Sequence, residues 1–257
     1  MEKNMVKDKI SRREPVFGLA CNLGSTKLAE MYGLSGFDFV IFDREHGSFS
    51  FETLEELNRA AKLKGLTPFA RVTQNDPKEV LRALDAGCMG VMVPQIETRE
   101  DAELAVMSTK YPPEGIRGSN WKTVAAEWGT VKPSDYFRAA NENIMTILLV
   151  ETRKGVENIE EILTVPGIDI VMLGTSDLSS SMGYMGDPSH PDVQEAVRRV
   201  ALSAKKAGVP TGGAAVLNKD KIQQNHENGM VMFFISPGDF IVKRFTEFTD
   251  ALGSYFV

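Results

Sequence analysis

The chain predicts an α/β protein folded as one (β/α)8 TIM barrel, a single domain over residues 1–257. Three observations carry this. Eight short apolar runs recur along the chain. The segments between them are amphipathic at helical spacing. Several runs are apolar on both faces, as parallel strands covered by helices must be.

The strands are expected at VFGLACN (16–22), DFVIFD (38–43), PFARV (68–72), GVMVP (90–94), IMTILLVE (144–151), DIVMLG (169–174), PTGGAAV (210–216) and MVMFFIS (230–236). Among the helices, FETLEELNRAAKLKG puts Leu54, Leu57 and Ala61 on one face and stops at Gly65. Asn75-Asp76-Pro77 opens another, with Val80, Leu81 and Leu84 inward. The clearest is PDVQEAVRRVALSAKKAG, where Val193, Ala196, Val197, Val200, Ala201 and Ala204 form a stripe between Pro191 and a terminating Gly208. An open doubly wound sheet is the alternative, but CNLGSTK after the first strand does not fit the GxGxxG dinucleotide turn. The longest irregular stretch, 111–135, is expected to be functional or to form a lid.

Composition is that of a globular protein, 42% hydrophobic and 25% charged. The net charge of -6 is spread along the chain, and basic residues do not cluster with aromatics, which argues against a nucleic-acid partner. Cys21 and Cys88 lie in or beside apolar runs with no CxxC pair, so both read as buried free thiols in a reducing compartment. Residues 1–12 lack the apolar core of a signal peptide, and no run approaches the roughly 18 residues of a membrane span. A cytoplasmic protein is expected.

In a barrel, chemistry gathers at the carboxyl ends of the strands. Here those ends read Asn22, Asp43-Arg44-Glu45-His46, Arg71, Pro94-Gln95, Glu151, Gly174-Thr175-Ser176-Asp177, Ala215 and Ser236. Polar groups concentrate after strands two, three, five and six. Glu151 closes an apolar run, where an unpaired carboxylate would be costly. With Asp177 it suits an all-oxygen divalent site, Mg²⁺ or Mn²⁺; each acid alone could instead cap a helix or pair with a lysine. Arg71 suits a substrate carboxylate or developing enolate, the alternative being an ion pair with Glu45 or Glu151. His46 gains weight only from its company, and no chemistry is assigned to His190 or His226.

DREHGSF, ARVTQNDP, LDAGCMGVMVPQIET, YPPEGIRG, VETRKGVENIEEIL and GTSDLSSSMGYMGDPSHPDV follow one another in this sequence. In order and spacing they resemble the HpcH/HpaI family of class II pyruvate aldolases. That family cleaves 4-hydroxy-2-oxo acids, with relatives acting on 2-keto-3-deoxy sugar acids. The resemblance runs from about residue 16 to 240. It implies Glu151 and Asp177 as metal ligands, Arg71 on the pyruvate oxygens, and His46 as proton carrier paired with Asp85. Backbone N–H groups around Ser176 and Asp177 would hold the pyruvate carboxylate. It also implies a homohexamer that swaps a C-terminal helix, about 238–252. The strands contain no lysine for a Schiff base, consistent with a metal-dependent enolate.

The sequence departs from that pattern at Leu149, where the family carries glutamine on the face of Glu151. Either a neighbour such as Gln95, Asn22 or Trp121 compensates at the substrate, or the substrate itself is changed. Arg44 stands where the family has a small or neutral residue, which points to an unusual substrate. Two other readings share the architecture: a Claisen-type citrate synthase of a siderophore pathway, and a barrel that only binds a keto acid.

Overall fold

The structure, a computed structural model, describes residues 1–216 and 218–255. Eight parallel strands close on themselves in chain order: β1 (Val16–Cys21), β2 (Phe39–Asp43), β3 (Thr67–Arg71), β4 (Gly90–Val93), β5 (Met145–Val150), β6 (Ile170–Leu173), β7 (Thr211–Ala214) and β8 (Met230–Ile235). The barrel shuts where Val16–Leu19 pair with Met232–Ile235. Each strand ends within two residues of its sequence expectation.

Alternation along the strands builds two cores. Phe39, Ile41, Phe69, Met92, Ile147, Leu149, Met172 and Met232 fill the barrel interior. Val40, Phe42, Ala70, Val91, Val93 and Leu148 point the other way, into the layer under α3 (Phe51–Leu63), α4 (Pro77–Asp85) and α5 (Arg99–Thr109). Continuing the inward set past Ile41, Phe69 and Leu149 places Asp43, Arg71 and Glu151 at the mouth. α10 (Pro191–Ala207) buries Val193, Val200 and Ala204 and ends on Gly208 at φ 77°, the left-handed cap that glycine adopts without steric cost.

The first residues form a plug that their apolar pattern does not announce. α1 (Met5–Ser11) turns Val6 and Ile10 into the amino-terminal end of the barrel, against the interior cluster. Asn4 caps it through the Lys7 N–H at 3.0 Å and donates to the carbonyls of Met89 and Asn143, both at 3.0 Å. Lys7 pairs with Asp169 at 3.1 Å and Lys9 with Asp38 at 2.5 Å, tying the plug to the residues that precede β6 and β2.

Stretch 111–135 lies on this same amino-terminal side, not over the mouth. It follows α5, which descends from the mouth, and precedes α6 (Pro133–Asn143) and β5. Glu127 sits 3.7 Å from the Met1 ammonium. Val124 packs near Gly87, in the turn between α4 and β4.

At the other end of the chain, α12 (Pro237–Gly253) buries only Pro237. Phe245 and Phe248 on it are 69% and 64% exposed. Beside β1 and β8, a groove of about 460 Å³ is lined by Pro15, Phe17, Ile222 and Phe233. Helix α11 (Lys219–Glu227) flanks it without burying a residue of its own.

Candidate active site

The ends of β2 and β3 are locked by a paired contact. Asp43 and Arg71 face each other in register, and Asp43 takes the guanidinium on both oxygens, Nε–Oδ1 at 2.8 Å and Nη2–Oδ2 at 2.5 Å. Such a fork-to-fork pair fixes orientation as well as charge. Burial opposes ionisation of Asp43, but the Arg71 hydrogen bonds and charge outweigh it and hold the carboxyl below its ordinary range. The same Oδ1 accepts the backbone N–H groups of Glu45 at 3.0 Å and His46 at 3.2 Å, shaping the turn that presents His46.

Glu45 stands between the two basic side chains. Its Oε2 lies 3.3 Å from Arg71 Nη1 and 4.0 Å from His46 Nε2. Burial raises its carboxyl, with Arg71 and His46 working against the rise. His46 itself is 59% exposed and open to a ligand in the mouth. The ion pair with Glu45 anticipated for Arg71 is present, but Asp43 is its principal partner; alternation along β2 is the signal that points to Asp43.

Across the mouth, Glu151 follows β5 and is only 4% exposed. Its Oε1 accepts the N–H of Gln95 at 2.9 Å, and Gln95 adopts φ 55° to deliver it. Burial pushes the Glu151 carboxyl up to about 7; the Gln95 N–H and Arg71 oppose this, while Asp177 and Glu45 reinforce it. Gly174 is required beside it, because a β-carbon there would meet Glu151 Oε2 at 2.8 Å and Leu149 Cδ1 at 3.3 Å. Leu149 and Glu151 therefore do share a face, and the wall next to the carboxylate is apolar. The short helix α9 (Thr175–Ser181) starts at Gly174, just past the carboxyl end of β6, with no side-chain cap for the first-turn N–H groups around Ser176 and Asp177.

The donor set fits a hard divalent cation. Asp43, Glu45 and Glu151 surround the Arg71 guanidinium, and Asp177 lies near enough to Glu45 and Glu151 to raise their carboxyls further. That excess of negative charge, and the poor ionisation of Glu151 without a cation, are what a bound divalent ion would relieve. Among the described residues no three His, Cys, Asp or Glu side chains gather as a complete ligand set. Glu151 and Asp177 would thus leave coordination positions to water or substrate, as Mg²⁺ and Mn²⁺ sites commonly do.

Other sequence-predicted residues lie elsewhere. Asp85 ends α4, which runs antiparallel to β3 and so carries it to the amino-terminal side. There it pairs with Arg117 at 2.9 Å, and within one chain it does not meet His46. Trp121 sits in the loop anchored on that same side, against Gly129, so it does not line this chain's mouth. Gln95 contributes its backbone to Glu151, while its side chain is exposed. Arg44 points out of the barrel, away from any substrate: it stacks 3.4 Å from the Phe51 ring centroid and pairs with Glu79 at 3.1 Å. Cys21 and Cys88 are free and buried.

Comparison with known proteins bears on this geometry. The family described as HpcH/HpaI aldolase/citrate lyase matches residues 17–238. The chain is 37% identical over 217 residues to a 5-keto-4-deoxy-D-glucarate aldolase of Escherichia coli (strain K12), covering 84% of each chain. It is 38% identical over the same length and coverage to the Klebsiella pneumoniae protein of that name. Among solved structures, an HpcH/HpaI aldolase/citrate lyase family protein from Burkholderia cenocepacia J2315 superposes with TM-score 0.90 at 34% identity, covering 99% of this chain and 100% of that one. The citrate synthase SbnG superposes with TM-score 0.88 at 26% identity, covering 98% and 99%.

Proposed function

Because this chain belongs to the HpcH/HpaI aldolase/citrate lyase family, we propose that it is a divalent-metal-dependent aldolase that cleaves or forms 4-hydroxy-2-oxo acids through a pyruvate enolate. The substrate class that best suits the relatives' name is a keto-deoxy sugar acid. The observation that carries the reading is the convergence of Arg71, His46, Glu151 and the start of α9 on one rim, with three carboxylates on the Arg71 guanidinium and Asp177 beside Glu45 and Glu151.

Glu151 and Asp177 would hold the cation, which when bound would supply Lewis-acid stabilisation of negative charge on the keto oxygen. Arg71, held by Asp43 through Nε and Nη2 and flanked by Glu45 at Nη1, offers its guanidinium to the substrate oxygens. The open N–H groups at Ser176 and Asp177 receive the carboxylate of the 2-oxo acid. His46 moves the alcohol proton at C4, directly or through water, with Glu45 4.0 Å from its ring within one chain and Asp85, by resemblance, as its paired aspartate.

The protein is proposed to act in the cytoplasm as a homo-oligomer, a hexamer by resemblance, with α12 exchanged between subunits. The apolar face of α12 and the groove along Phe17 and Phe233 support that exchange, since neither is covered by the described residues of one chain.

The deciding experiment is proton exchange at C3 of pyruvate, followed by NMR with Mg²⁺ or Mn²⁺. Exchange that EDTA abolishes, together with 4-hydroxy-2-oxo acid products from short aldehydes, is expected. Metal-loaded protein with neither activity would refute the proposal. The likeness to SbnG supports a second reading: thiol release from acetyl-CoA in the presence of oxaloacetate, without pyruvate exchange, would favour a citrate synthase.

A further inference from the structure

Arg44 is one residue past the end of β2, between the two acids that flank Arg71. Its backbone N–H donates to the Arg71 carbonyl at 2.9 Å, one more rung between β2 and β3. Its side chain leaves on the helical side of the wall and is only 11% exposed. Two helix starts hold it there. Phe51 is the first residue of α3, and its ring lies 3.4 Å from the Arg44 guanidinium carbon and 3.9 Å from that of Arg82. Glu79 is in the first turn of α4, where its N–H is fixed by Asp76 at 3.0 Å and its Oε2 takes both Arg44 at 3.1 Å and the Thr73 hydroxyl at 3.2 Å.

A guanidinium so enclosed is a poor choice for stability alone, because desolvating it offsets much of what the Glu79 pair returns. What the arrangement supplies is position. Residues 44–50 carry no regular structure, yet Asp43 and Glu45 must hold their carboxylates on opposite sides of Arg71 within hydrogen-bond and ion-pair distance. Turning Arg44 outward and fastening it to two rigid helix starts fixes the backbone from which both acids project inward.

We propose that Arg44 is a positioning residue for the mouth: anchored between Phe51 and Glu79 behind the barrel wall, it holds Asp43 and Glu45 in their grip on Arg71. This rests on the reading that Arg71 binds the 2-oxo acid. Its consequence is kinetic. Loosening the grip changes the orientation of Arg71, so affinity for the 2-oxo acid falls even in molecules that remain folded.

The test compares Arg44→Met, Arg44→Lys, Glu79→Gln and, as control, Arg82→Met, all loaded with Mn²⁺. Pyruvate C3 exchange gives KM and kcat, and thermal melting gives stability. Arg44→Met should raise KM roughly tenfold or more, in keeping with the steep cost of misplacing a binding group. Arg44→Lys should recover part of that loss, and Arg82→Met should leave KM unchanged. A KM unaltered in Arg44→Met, or raised equally by Arg82→Met, would overturn the proposal. If Arg44→Met does not fold, Glu79→Gln decides in the same way. If the wild-type protein shows no exchange, the functional reading fails separately, and a crystal structure of the variant then decides: Arg71 released from Asp43 or Glu45 supports the inference, and an undisturbed grip refutes it.

Discussion

Asp43 and Arg71, in register on adjacent strands, form a two-point contact in which both carboxylate oxygens are engaged, at 2.8 and 2.5 Å. One of those oxygens also accepts the N–H groups of Glu45 and His46. A single inward acid therefore orients the arginine and shapes the turn that carries the histidine. Asp43→Asn keeps the size but loses the charge. It should lower kcat/KM for pyruvate exchange about a hundredfold, and a change within twofold would remove Asp43 from the site.

The raised carboxyl of Glu151 makes stability depend on pH. Its folded value of about 7 lies above the ordinary 4.5, so the fold prefers the protonated form. The stability this provides is complete below about pH 4.5 and is lost as pH rises through 7. Metal-free protein should lose on the order of 2 kcal/mol of unfolding free energy from this group between pH 5 and 8. Glu151→Gln should flatten that slope in urea titrations, and an unchanged slope would mean the carboxyl is not responsible.

Because protons and the cation compete for Glu151, Mn²⁺ should raise the melting temperature more at pH 8 than at pH 6. The pH-dependent part of that increase should vanish in Glu151→Gln. Equal stabilisation at both pH values in the wild-type protein would place the ion elsewhere.

Arg117 is fully enclosed, with Asp85 as its ion-pair partner. Asp85→Asn strands a buried charge and should cost about 3 kcal/mol, a drop of roughly 6–12 °C in melting temperature for a chain of this size. Replacing both residues, Asp85→Asn with Arg117→Met, should recover most of the loss. A double variant no more stable than the single one would contradict this account.

The plug makes a simpler prediction. Ile10 is 3% exposed against the barrel interior, and Ile10→Ala should cost roughly 2–4 kcal/mol. The mouth lies at the opposite end, so KM for pyruvate should not move. A variant with altered KM and unchanged melting temperature would show that α1 acts on the site rather than on the fold.

Much of this was legible in the chain itself. Apolar runs of strand length placed Arg71 and Glu151 at strand ends, because period-2 alternation is local and needs no partner to be read. The same rule, applied one residue at a time, separates Asp43 inward from Arg44 outward. Charge alone does not make that separation, and the Phe51 and Glu79 contacts of Arg44 replace the substrate role to which its departure from the family pattern points. Stretch 111–135 follows a helix rather than a strand, and that connectivity is the signal that assigns it, and Trp121, to the amino-terminal side.

Periodicity and chain order are enough to define the barrel, its strand ends and the residue types at its mouth. The partners emerge only once the barrel has closed. That Arg71 belongs to Asp43, that Asp85 pairs with Arg117 within one chain, and that residues 5–11 seal the barrel all depend on which surfaces meet after closure. Pairing and burial are properties of distance and desolvation between segments far apart in the chain, and neither has a local signature.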